Sequence, residues 1–211
     1  MKNKVVSFFD HIICPELLPK SPVIIDAGAN QGNFIKNVVG LFENPRFIAV
    51  ECQKGIMPVL IKNVKDINCE VVEAALVGLK RRLSFTEIVG GEKSGETYRY
   101  NEWGNIYDYN TPANKNIVKK NYSVNGITLS EIFDTYKLDR VDYLKMDIEG
   151  AEQEVIENLD KSVADKISQI SLEFHSNKNL KNDISIIINK LTYFGFKIEF
   201  FTHDEVFAWK E

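Results

Sequence analysis

Apolar residues in this chain gather in short β-branched runs, separated by turn residues and by stretches with helical spacing. Val23-Ile24-Ile25, behind Pro22 and ahead of Asp26-Ala27-Gly28, predicts a buried strand. Apolar positions 34, 35, 38, 39, 41 and 42 then follow a helical period over 33–42, until Asn44-Pro45 stops it. Phe47-Ile48-Ala49-Val50 reads as a second strand, 56–64 as a helix and 70–74 as a third strand. The rhythm lapses over about 78–125, where Gly90-Gly91, Gly95, Gly104 and Asn110-Thr111-Pro112 punctuate polar and aromatic stretches and predict strands with long loops. It resumes with a helix over 129–136 capped by Thr128 or Ser130, a strand over 141–146 and a helix over 151–159. A strand over 170–174, a helix over 180–194 and a strand pair, 197–202 and 205–209, complete the chain. Such alternation predicts an α/β fold with a parallel sheet and right-handed crossovers. Residues 1–20 carry Asp10, His11 and Glu16 through their apolar part and read as an amphipathic helix; 5–13 is apolar enough to cover the sheet or to pack in a homodimer.

Length and composition narrow the picture. The 211 residues suit a single domain over 1–211, with 84–122 as an inserted lid or acceptor-facing region. A net charge of -4 and a pI near 5.5 give no general attraction to phosphate backbones or anionic lipid, so nucleic acid is not an expected partner. No apolar run reaches the roughly 18 residues of a membrane span, and the N-terminal charges argue against a signal peptide. Cys14, Cys52 and Cys69 are odd in number and stand in no metal-ligand spacing, which fits reduced thiols and a cytoplasmic protein.

Candidate chemistry gathers at predicted strand ends. Asp26-Ala27-Gly28-Ala29-Asn30-Gln31-Gly32 joins the first strand to the first helix, where ligands of open α/β sheets bind and glycine lets backbone approach them. The loop lacks the G-x-G-x-x-G spacing of a nicotinamide site, and an acid at 26 would repel a pyrophosphate while suiting an ammonium group. Glu51, about twenty residues on, stands where a carboxylate can accept ribose hydroxyls. Asp147 and Glu149 at the end of the fourth principal strand suit a general base or ligands of a divalent ion, although Glu149 and Glu152 can equally serve the helix start. His175, closing the fifth strand, suits a base, a metal ligand beside Asp147, or a structural role. His11 and His203 read as structural. Tyr98, Tyr100, Trp103, Tyr107 and Tyr109 are available to stack on a sugar or ring, or to cover the sheet edge.

With those residues in place, the chain resembles the FkbM family of S-adenosylmethionine-dependent methyltransferases. The resemblance rests on the 26–32 loop, Glu51, Ala74-Ala75, Ile127-Thr128-Leu129 and, most specifically, the run from Asp142 to Glu152; it covers 22 to about 176. It implies a Rossmann-like class I methyltransferase fold, with helices on both faces of a seven-stranded, mainly parallel sheet whose last strand runs antiparallel. It also implies S-adenosyl-L-methionine as cofactor, bound by the loop residues Asp26, Gly28, Asn30 and Gly32, by Glu51 at the ribose, by Cys52, and by Glu73 and Ala74 at the adenine. The implied reaction is O-methylation of a sugar, glycan or small metabolite, with Asp147, Glu149 and His175 as candidate bases or ligands, Trp103 and Tyr107 facing the acceptor, and a divalent metal possible but not predicted. The family often has Glu-Pro after the second strand, whereas Glu51 is followed here by Cys52-Gln53. A nucleotide-dependent oxidoreductase and a non-catalytic adenosyl-binding partner subunit are the alternatives.

Overall fold

The computed structural model describes residues 5–8, 11–93, 96–98, 104–105, 118–176, 182–202 and 204–210. The chain opens with two short strands, β1 (Val6–Phe8) and β2 (His11–Ile13), paired antiparallel, and a 3-10 turn over Pro15–Leu17. The expected helix over 1–20 is therefore corrected. The run around Ile12-Ile13 is β-branched, Pro15 follows it, and its backbone is satisfied by the sheet's side chains instead of by a helical ladder. Ile12 N–H donates to Ser171 Oγ at 3.1 Å and Cys14 N–H to Gln169 Oε1 at 3.0 Å. The Gln169 amide donates back to Cys14 O at 2.9 Å, and the Tyr143 hydroxyl to Ile12 O at 2.9 Å.

After this segment the predicted alternation holds. β3 (Val23–Ala27), α1 (Asn33–Val38), β4 (Arg46–Glu51), α2 (Met57–Val64) and β5 (Cys69–Glu73) come first. β6 (Ala75–Leu76), β7 (Arg82–Lys93), β8 (Glu96–Tyr98), β9 (Gly104–Asn105) and β10 (Val118–Ile127) form a second sheet, in which β7 and β10 pair antiparallel from Arg82↔Asn125 out to Val118↔Gly90. This long hairpin occupies part of the expected lid. α3 (Leu129–Tyr136), β11 (Val141–Met146), α4 (Glu152–Glu157), α5 (Lys161–Ala164), β12 (Ile167–Glu173), α6 (Ile184–Tyr193), β13 (Lys197–Phe200) and β14 (Glu205–Trp209) follow. Thr128 caps α3 through a reciprocal pair with Glu131, which settles the choice between Thr128 and Ser130.

The principal sheet has the order β13-β14-β12-β11-β3-β4-β5. Its neighbours pair parallel except for β14, the last strand, which runs antiparallel to both β12 and β13. Both faces are covered, so successive residues enter different cores. Ile24, Phe47 and Tyr143 pack on one side, with Ile12 and Ile13, while Ile25, Ile48 and Leu144 pack on the other. The strand order turns at β3, which β4 and β11 flank, and such a switch point leaves a crevice beyond the strand ends. Replacing Tyr143 by Phe leaves Ile12 O buried without its donor, so urea unfolding should show a loss of about 1–2 kcal/mol; an unchanged midpoint would mean the N-terminal strands do not depend on this bond.

Candidate functional site

The glycine turn after β3 owes its sequence to the loop after β11. Gly28 has φ +72°, and a Cβ there would lie 1.7 Å from the carbonyl oxygen of Asp147. Glycine is thus required by a neighbouring backbone as well as by conformation. Gly32, at φ +77°, precedes α1, and a Cβ there would press on Leu60 and Val64 of α2 at 3.0 Å, so it serves helix packing and does not line the crevice. Asn30 is also left-handed at φ 49°. Its N–H donates to Glu51 Oε2 at 2.8 Å, while Glu51 Oε1 accepts from the N–H groups of Cys52 at 2.8 Å and Gln53 at 2.7 Å. An ionised carboxylate offers about four acceptor positions, so one remains, on Oε2. Burial raises the Glu51 pKa, against the pull of these three amides.

These residues border an open cleft at the ends of the central strands. It is lined by Gly28, Asn30, Glu51 and Cys52, by the apolar surface of Val50, Ala74, Ala75, Leu76 and Phe85, and by Asp147, Ile148 and Glu149. Glu73 is exposed and does not line the cleft, unlike its neighbour Ala74. Asp26 departs from expectation too. Its side chain is fully buried with Oδ1 3.1 Å from Lys145 Nζ, so the cation this acid was expected to find in a ligand is provided by the chain itself.

Lys145 ties the site together. Its ammonium donates to Gly28 O at 2.9 Å, pairs with Asp26 and stands 3.9 Å from Asp147 Oδ2. Burial disfavours charge on Lys145, but Asp26 and Asp147 outweigh it and hold the pKa above the ordinary lysine value. A second cleft shares Gly28, Asn30 and Asp147 with the first and adds His11, Phe34 and Lys145. His11, read from the sequence as structural, is 1% exposed and points Nε2 at Asp147 Oδ2 from 3.9 Å. Burial lowers its pKa against the pull of Asp147.

On the outer side of Asp147 stands His175. Its Nδ1 is 3.1 Å from Oε1 of Glu152, a fully buried acid that also accepts from the N–H groups of Ile148 and Gly150. The three residues singled out as candidate bases are brought together: His175 Nε2 lies 4.0 Å from Asp147 Oδ1 and 3.9 Å from Glu149 Oε2. Burial opposes charge on His175, but Glu152, Glu149 and Asp147 lift its pKa to about 9. Burial would raise Asp147, yet His11, Lys145 and His175 bring it down to about 2, whereas burial raises Glu149 to about 7. Trp103 and Tyr107 lie outside the described residues, as do Tyr100, Tyr109 and His203.

A family model described as Methyltransferase FkbM domain matches residues 26–198. The chain belongs to the FkbM methyltransferase family. The family assignment and class I fold expected from the motifs are borne out. The crystal structure of Methyltransferase FkbM from Methylobacillus flagellatus KT is 15% identical with a TM-score of 0.56, over 92% of this chain and 45% of that one. This chain therefore spans less than half of that FkbM protein, and at such identity the likeness concerns the fold. Precorrin-6y C5,15-methyltransferase from Geobacter metallireducens GS-15 is 16% identical over 92% of this chain and 82% of that one, with a TM-score of 0.49. Aeropyrum pernix fibrillarin with natively bound S-adenosyl-L-methionine is 11% identical over 92% and 67%, at 0.46. No curated protein matches the sequence.

The FkbM match begins at 26, so His11 and the N-terminal strands lie outside it. Sequence reading missed His11 and Lys145. The signal for Lys145 was a single cation near the end of a buried strand, which demands a buried partner. Gly28→Ala forces the Asp147 loop away and should cost about 3 kcal/mol or more in chemical unfolding; a near-neutral variant would contradict the contact. Lys145→Met leaves Asp26 buried without its cation, at a cost of about 3–5 kcal/mol near pH 8. Because burial raises the Asp26 pKa, the folded variant holds a proton that the unfolded chain releases, so its deficit should shrink as pH falls toward the ordinary carboxylate range. An equal deficit at pH 5 and pH 8 would count against this pairing.

Proposed function

We propose that the chain binds S-adenosylmethionine in the cleft between Gly28, Glu51 and Ala74 and transfers its methyl group to a hydroxyl of a sugar, glycan or small metabolite. One observation carries the reading: the cleft that holds the acid Glu51 and an apolar surface is also lined by Asp147 and Glu149, which His175 Nε2 approaches at 4.0 and 3.9 Å. The residues fit the cofactor. The remaining acceptor position of Glu51 Oε2 suits a ribose hydroxyl, the surface of Val50, Ala74, Ala75, Leu76 and Phe85 suits an adenine, and the turn at Gly28 and Asn30 brings backbone to the methionine portion. Asp26 acts behind this surface, through Lys145.

When bound, the cofactor supplies an electrophilic methyl carbon on a sulfonium. The chain's own task is to align the acceptor oxygen with that carbon, exclude water and receive the hydroxyl proton. The hydroxyl proton released on transfer would pass to the Asp147–Glu149–His175 cluster, of which Asp147 and Glu149 border the cleft. Among the described residues no helix is long and apolar enough to cross a membrane.

Isothermal titration with S-adenosylhomocysteine should give micromolar binding, weakened about tenfold or more in Glu51→Ala. With an accepted hydroxyl substrate, Glu149→Gln should lower kcat on the order of 10²-fold while leaving that affinity within a few-fold. Absence of binding to the wild-type chain would overturn the reading.

A further inference from the structure

Around His175 Nε2 three carboxylate oxygens stand at 3.7 Å (Glu173), 3.9 Å (Glu149) and 4.0 Å (Asp147). Each distance exceeds a hydrogen bond. They match instead the separation of two donors that share an ion, since bonds of about 2.0–2.2 Å place ligand atoms roughly 3 to 4.2 Å apart. One donor atom each from Asp147, Glu149 and His175 lie within 4.8 Å of one another.

Two further features point the same way. The Nδ1 of His175 is engaged by Glu152, itself fully buried and fixed by two backbone N–H groups, so the ring is oriented with Nε2 toward the carboxylates. Metal-bound histidines are oriented in this manner by a carboxylate on the far nitrogen. On the opposite side, the 1%-exposed His11 keeps Nδ1 against Ser171 Oγ at 3.3 Å and aims Nε2 at Asp147 Oδ2, beyond hydrogen-bond length. Asp147 thus stands between two imidazoles, each anchored through its other nitrogen. Lys145, the nearby cation, is shared with Asp26.

We infer that Asp147, Glu149 and His175 form a binding site for one divalent transition-metal ion at the end of the cleft. Mixed carboxylate and imidazole donors suit Mn²⁺ or Zn²⁺ better than soft ions. The inference deepens the proposed function, and its catalytic meaning rests on that reading: an ion here would bind the acceptor hydroxyl and lower its pKa. Binding itself can be measured without turnover.

The test is Mn²⁺ titration of chelator-treated protein, followed by electron paramagnetic resonance, beside titration with S-adenosylhomocysteine. The expected result is one ion per chain at a Kd on the order of 10 μM, with a ¹⁴N coupling from His175 in the spin-echo spectrum. His175→Ala and Glu149→Gln should each weaken Mn²⁺ at least tenfold, with His175→Ala retaining the adenosyl ligand. No Mn²⁺ binding, no ¹⁴N coupling on the wild-type protein, or undiminished binding in both folded variants would overturn the ion site. The wild-type adenosyl titration then decides the cofactor reading separately, and the spin-echo spectrum stands even if a variant fails to fold.

Discussion

The site depends on one buried ammonium. Lys145 at the end of β11 reaches to the carbonyl of Gly28, to Asp26 at the end of β3 and toward Asp147. It joins the two loops that flank the point where the strand order turns. A lysine this deep is costly unless its charge is met, and here the carboxylates that meet it are those that shape the cleft. Gly28 completes the junction from the other side, because only a residue without Cβ can lie against the Asp147 carbonyl. Loop position, acid placement and cleft geometry are therefore one coupled arrangement.

Around that junction, duties divide between surfaces. Glu51 spends most of its acceptor capacity on the backbone of its own and the glycine loop, so it is a structural anchor with one position left for a ligand. Asp147 belongs to both clefts and lies between His11 and His175. His11 arrives from an N-terminal strand fixed to the sheet by Ser171, Gln169 and Tyr143, which makes a segment outside the FkbM match part of the site wall.

Most of the fold was legible because buried parallel strands advertise themselves. β-branched runs such as Val23-Ile24-Ile25 and the helix beginning at Thr128 carry local signals strong enough to place them within a few residues. The N-terminal strands were not legible, since their hydrogen bonds come from side chains more than a hundred positions away. The site divided in the same way. The grouping of Asp147, Glu149 and His175 at strand ends could be read from position alone, whereas the burial of Asp26 beside Lys145 could not, because it depends on the register of β3 against β11 that sets these two side by side. Glu73 and Gly32 were expected beside Ala74 and Gly28 by adjacency in sequence, but the pleat leaves Glu73 exposed and Gly32 packs at the α1–α2 contact, so neither lines the cleft.

The central claim is that the cleft between Gly28, Glu51 and Ala74 is the cofactor site of an FkbM-family methyltransferase. A crystal structure of the chain with S-adenosylhomocysteine tests it most directly. The account predicts the adenosine in that cleft, a ribose hydroxyl within about 3.2 Å of Glu51 Oε2, and the sulfur facing Asp147 and Glu149. Ligand found only in the second cleft beside His11 and Phe34, or turned so that the sulfur faces away from Asp147, would contradict it.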